Sequence, residues 1–134
     1  MLAHAAGAGQ PFGPPVRINN TPDGGSTAFF QPQVVVDETG ALDVTAFALK
    51  DGRVDVVLWR AAGLGGPFDA GRRITSEAFD PAAGMPDTKH GAWWIGDYQG
   101  LATGGGVLHA LWNDTRTGNL QLFAAAIPIP TNAS

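Results

Sequence analysis

The stretch Trp93-Trp94-Ile95-Gly96-Asp97-Tyr98-Gln99-Gly100-Leu101-Ala102, continued by Val107-Leu108-His109-Ala110-Leu111-Trp112-Asn113-Asp114-Thr115-Arg116, decides the reading of the fold. Its first half is almost entirely apolar or small, the composition of a strand covered on both faces. Thr103-Gly104-Gly105-Gly106 breaks the pattern as a turn. The second half ends in Asn113-Asp114-Thr115-Arg116-Thr117-Gly118-Asn119, a polar turn rich in groups able to hold a ligand, and a third apolar run covers residues 120–127. Three strands of one antiparallel sheet are expected here, with Asp97, Tyr98, Asp114 and Arg116 beside its turns.

Outward from this stretch the chain repeats itself. Residues 2–18 match residues 58–74 without a gap: Leu2/Leu58, Ala5/Ala61, Ala6/Ala62, Gly7/Gly63, Gly9/Gly65, Pro11/Pro67, Phe12/Phe68, Arg17/Arg73 and Ile18/Ile74 are identical. A second, sparser match relates residues 33–60 to 99–126, through Gln33/Gln99, Gly40/Gly106, Leu42/Leu108 and Gly52/Gly118. The offsets are 56 and 66 residues, and the extra length falls in the loop 76–96. Such spacing fits four-stranded units, labelled A (inner) to D (outer), arrayed one after another. A D strand is expected near 14–19, a complete unit near 32–37, 41–48, 54–60 and 71–75, and strands A, B and C of the next near 93–102, 107–113 and 120–127. Residues 1–134 form one unit of fold, a single two-blade segment.

The run from Gly96-Asp97-Tyr98-Gln99-Gly100-Leu101-Ala102 to Thr117-Gly118-Asn119 resembles the last blade of bacterial sialidase-like proteins with BNR (Asp-box) repeats, and Gln31-Pro32-Gln33-Val34-Val35-Val36-Asp37 resembles the inner strand of the blade before it. The turn Ala61-Ala62-Gly63-Leu64-Gly65-Gly66-Pro67-Phe68 stands where that family carries its Asp box, keeping the Gly and the final aromatic without the Asp. The resemblance implies an all-β fold: two four-stranded antiparallel blades' worth of a six-bladed β-propeller. Two blades leave sheet edges and apolar faces open. Two ways of closing them are expected: the chain is a piece of a longer propeller, or three copies close a ring as a homotrimer with strand exchange, residues 16–18 of one completing the A-B-C sheet of the next.

Composition narrows the function. Net charge is −4, charged residues are 15% of the chain, and no basic cluster marks a nucleic-acid surface. No apolar run approaches the ~20 residues of a membrane helix. The first residues lack a basic start and a long apolar core, so no signal peptide is expected. The family is often secreted, but compartment stays open. The chain has no cysteine, hence no disulfide and no thiolate chemistry.

Site residues are expected on the face formed by the D–A and B–C loops: 19–31, 49–53, 76–96 and 113–119. Asp97 and Tyr98, opening an inner strand there, are the first candidates for catalysis, joined by His90, a loop histidine beside Asp87. Three Asp97 around a ring axis would either repel or hold a divalent cation such as calcium. Trp93 or Trp94 offers a platform for a sugar ring. Asn113, Asp114, Arg116 and Arg53 are candidates for holding a ligand, the arginines by forked contacts to an anion. Bland roles stand beside each: Asp97 capping a turn, Tyr98 packing at a channel mouth, Asp114 pairing with Arg116, both tryptophans buried, His90 exposed. No nucleophile elbow, phosphate loop or His-Glu-x-x-His occurs. Three functions follow as expectations: binding of a carbohydrate or small anionic ligand, hydrolysis of a glycoside or ester, or a structural role within a larger propeller enzyme.

Overall fold

The computed structural model describes residues 1–19, 25–83 and 95–130. They contain no helix and two antiparallel sheets. The first joins β1 (Ala28–Val36), β2 (Leu42–Lys50), β3 (Arg53–Ala61) and β4 (Arg72–Arg73) in chain order. The second joins β5 (Gly100–Gly104), β6 (Val107–Asp114) and β7 (Gln121–Pro128), also in chain order. β1 and β5 lie side by side.

Alternation along the strands explains the layers. In β2 and β3, Leu42, Val44, Ala46, Trp59 and Ala61 point to one side and pack with Ile18 and Phe68. Phe47, Val54, Val56 and Leu58 point to the other side and meet the second sheet. β2 is covered on both faces, and buried Asp43 and Thr45 lie in it between the apolar positions. The second sheet turns Leu108, Ala110 and Trp112 of β6 toward the first. Its other face, with His109, Leu111, Ala124 and Ala126, borders an open hollow of about 530 Å³.

The 56-residue repeat is a repeat of structure. Leu58 pairs with Arg72 and Ala61 with Phe68; at the N-terminus Leu2 pairs with Val16 and Ala5 with Phe12. The turns between carry the same bonds: Gly66 N–H to Gly63 C=O and Gln10 N–H to Gly7 C=O, both 3.1 Å, then Asp69 N–H to Arg60 C=O and Gly13 N–H to His4 C=O, both 2.9 Å. Packing repeats as well. Leu2 and Ile18 lie on Leu42 and Val44, as Leu58 and Ile74 lie on Leu108.

The 66-residue repeat holds for one hairpin and slips in the other. Leu42 faces Ala61 and Leu108 faces Ile127, the same register. Across the A–B turn, Val36 faces Leu42 whereas Thr103 faces Leu108, so the inner strands correspond at 67 residues. The counterpart of Gln33 is thus Gly100, not Gln99. Other expectations change too. Residues 14–19 form a single bridge at Val16 instead of a strand. The inner strand expected from 93 begins at Gly100. The expected loop 49–53 is a two-residue turn: Asp51 (φ 49°) and Gly52 (φ 75°) both take left-handed backbone, the geometry that matches the twist of a hairpin. Arg53 therefore opens β3.

Packing fixes the glycine at position 71. Gly71 has φ 78°, and a Cβ there would sit 2.3 Å from Nε1 of buried Trp59. Gly71→Ala is expected to lower stability by about 2–4 kcal/mol, from left-handed strain plus overpacking; urea unfolding against wild type measures it.

Candidate functional site

The bulge in β1 creates the site's framework. The register of β1 shifts between Phe30 and Gln33, and Gln31 adopts φ 49°, unusual for a residue with a side chain. The kink sends Gln31 toward the approach to β5. Its Nε2 donates to the Gly96 carbonyl at 2.6 Å, and Gln99 Nε2 donates back to the Gln31 carbonyl at 3.1 Å. Gln31 Oε1 is buried and has no partner among the described residues. Gly96, at φ 95°, lies directly under the Asn113 amide: a Cβ there would be 2.1 Å from Nδ2.

Between these two pinned points stand Asp97 and Tyr98, both exposed. Tyr98 is 82% accessible, the most exposed large apolar side chain among the described residues. Asp97, Tyr98 and Asn113 are thus gathered at one end of the β5–β6 pair, on backbone held by Gln31 and buried Gln99. His90, Trp93 and Trp94 lie outside the described residues. Among the described residues no three acidic or histidine side chains converge on one point.

The other candidates are occupied elsewhere. Asp114 is fully buried. It accepts from Trp112 Nε1 at 3.1 Å, from Arg116 N–H at 2.8 Å, and from Arg116 Nε and Nη2 at 2.9 and 2.5 Å. Hydrogen bonding to this carboxylate raises the already high pKa of Arg116. The guanidinium also reaches Ser76 Oγ at 2.6 Å and lies 4.6 Å over the Phe123 ring. Arg53 donates to the Ala78 carbonyl, and the Thr115 hydroxyl to the Asp80 carbonyl. Arg53, Asp114 and Arg116 therefore fasten segment 76–80 to the sheets. These three, expected to hold a ligand, with the arginines forked on an anion, are engaged with that loop and with one another.

A charged cluster at the opposite end escaped the sequence reading. Arg60 Nη1 spans both oxygens of Asp43 at 2.9 and 2.7 Å. Its Nη2 meets Asp37 Oδ2 at 2.5 Å as an ion pair, without the alignment of a hydrogen bond. Asp37 Oδ1 accepts from Thr39 N–H (2.8 Å), Thr39 Oγ1 (2.6 Å) and Ala41 N–H (3.0 Å), closing the β1–β2 turn. A cleft of about 210 Å³ opens beside it, lined by Asp43, Arg60, Asp69 and Arg72 over Leu58 and Leu108. Asp69 closes its own turn, its Oδ1 accepting from Arg60 and Gly71 N–H. The signal for Arg60 was the hairpin register, since Asp43 and Arg60 are direct cross-strand partners.

This cluster sets an acid limit on stability. Burial opposes ionisation of Asp37, but the hydrogen bonds from Thr39 and Ala41 and the charge of Arg60 outweigh it and hold the carboxyl at about 2, below its ordinary 3.8. A carboxyl depressed in the folded state stabilises fully above its unfolded pKa and ceases to do so as pH falls through the folded one. Asp37→Asn keeps the turn acceptor and removes the charge. Its stability deficit against wild type, read by urea unfolding, is expected to be full above pH 3.8 and to vanish toward pH 2.

None of the family models, curated proteins or solved structures compared with the chain matches it.

Proposed function

We propose that this chain is a carbohydrate-binding module of the sialidase-like propeller kind, with its sugar site at Tyr98, Asp97 and Asn113. The observation that carries the reading is the exposure of Tyr98 on rigid backbone. An aromatic ring left 82% accessible while its neighbours on both sides are hydrogen-bonded in place offers a preformed apolar platform. The C–H face of a pyranose ring stacks on such a platform at little entropic cost. The Asp97 carboxylate accepts from sugar hydroxyls, and the Asn113 amide both donates and accepts. Arg53 and Arg116 are committed to segment 76–80, so an uncharged sugar suits the site better than an anion. Three copies closing a six-sheet ring would repeat the site three times and raise avidity.

Glycan-array screening followed by calorimetry tests this. Tyr98→Ala is expected to weaken binding about tenfold, or ~1.4 kcal/mol, with the unfolding midpoint unchanged. Equal binding by wild type and Tyr98→Ala would refute the site. Turnover of a fluorogenic glycoside that disappears in Asp97→Ala would show the hydrolase instead.

A further inference from the structure

We propose that the open edge of β7 receives the segment Phe12-Gly13-Pro14-Pro15-Val16 of a second copy of this chain, in a register fixed by the internal repeat. β7 is the last strand of its sheet, eight residues long, without a charged side chain, and its outer edge pairs with nothing among the described residues. Such an edge invites strand addition. In the first sheet the corresponding edge, that of β3, is covered by β4 and the bridge to Phe68.

The repeats name what would cover β7. Ala124 stands in β7 where Leu58 stands in β3, and Ile127 where Ala61 stands, because the β2–β3 and β6–β7 hairpins share a register. Leu58 faces Arg72 and Ala61 faces Phe68. Val16 and Phe12 are the 56-residue counterparts of Arg72 and Phe68. In the docked pair Ala124 therefore faces Val16 of the second copy, and Ile127 faces its Phe12. The Ile18 N–H would donate to the Leu122 carbonyl, as Ile74 N–H donates to Val56 C=O at 2.9 Å.

Exposure on the two surfaces is complementary in the same way. Phe12 is 75% accessible whereas Phe68 is 9%, and Leu122 is 63% accessible whereas its counterpart Val56 is 1%. At Phe12 and at Leu122 the docked pair is exposed where its repeat counterpart is buried. Within one chain the hydrogen-bonding groups of Val16 are satisfied by Leu2, at 2.7 and 2.8 Å. Leu2 is the counterpart of Leu58 and so of Ala124, and both claim one slot. Docking exchanges Leu2 for Ala124 bond for bond, a strand swap that costs little. The surface is head-to-tail, so repetition closes a ring where the rotation per copy returns to its start and grows an open array where it does not. The pairing stands on the repeats, and rests on the propeller reading above only for the number of copies.

The chain has no cysteine, so single-cysteine variants are clean probes. A hydrogen-bonded antiparallel pair puts its Cα atoms about 5.5 Å apart, within disulfide range. Val16→Cys mixed with Ala124→Cys and oxidised is expected to give cross-linked dimer in yield about fivefold above Val16→Cys mixed with Leu122→Cys or Ala126→Cys, which are out of register. In a single chain, Leu2→Cys with Val16→Cys locks the closed hairpin. Oxidised, this variant is expected to stay monomeric in light scattering where wild type associates; reduced, it regains association. Equal yields from all three mixtures, a wild type that stays monomeric, or a locked variant that associates like wild type would each overturn the pairing. Preferred cross-linking at Ala124 with a mass other than three copies would refute the six-sheet ring and leave the pairing intact, and sugar binding by the locked monomer tests the Tyr98 site separately.

Discussion

An aliphatic pair carried by a hairpin and pressed onto the next sheet is the interaction on which this architecture depends. Leu58 and Ile74 lie on Leu108; Leu2 and Ile18 lie on Leu42 and Val44. Burying a leucine or isoleucine in this way contributes about 1.5–3 kcal/mol. The contact also explains why β4 is only two residues long. The outer strand holds its sheet less through a long ladder than through one side chain that locks into the layer beyond. Since the contact recurs at a fixed sequence spacing, each sheet presents one face that receives such a pair and one that delivers it. The second sheet receives on Leu108, and its delivering face is open.

How much of this was legible in the sequence depends on which residues carried it. The hairpin repeat was legible because its constraints fall on side chains without substitutes: glycines in left-handed turns (Gly9 and Gly65) and the aliphatics of the layer contact. The slip of the inner strands was not. It arises from the length of the A–B turn, where Asp37-Glu38-Thr39-Gly40-Ala41 closes on an aspartate cap and Gly105-Gly106 closes on two left-handed glycines. The identity of Gln33 and Gln99 concealed it, two residues that do different work. Gln99 donates to the bulge at Gln31, and that bulge leaves no compositional trace because Gln31 adopts its conformation under tertiary constraint.

The polar residues divide by the same logic. Side chains that looked available in a list of types are spent on local geometry once distances are known. Asp114 and Arg116 neutralise each other two residues apart, and Arg60 bridges two aspartates brought together by a turn and a hairpin. Among the described residues the buried carboxylates Asp37, Asp43 and Asp114 are each paired, as burial requires. Asp97 and Tyr98 stand at the surface on pinned backbone, and Asn113 lies over Gly96. The sequence put these three on one loop face in two separate groups, and the hydrogen bonds that pin the backbone at Asp97 and Tyr98 come from Gln31 and Gln99.

The layer contact is open to direct observation by methyl-resolved NMR. In isotope-labelled protein, cross-relaxation is expected between the Leu58 and Leu108 methyls, and between Ile18 and the Leu42 and Val44 methyls, together with backbone cross-peaks pairing Leu2 with Val16 and Leu58 with Arg72. Absence of the Leu58–Leu108 and Ile18–Val44 contacts, in a protein otherwise showing the β2–β3 and β6–β7 hairpins, would contradict the repeated layer contact and the architecture built on it.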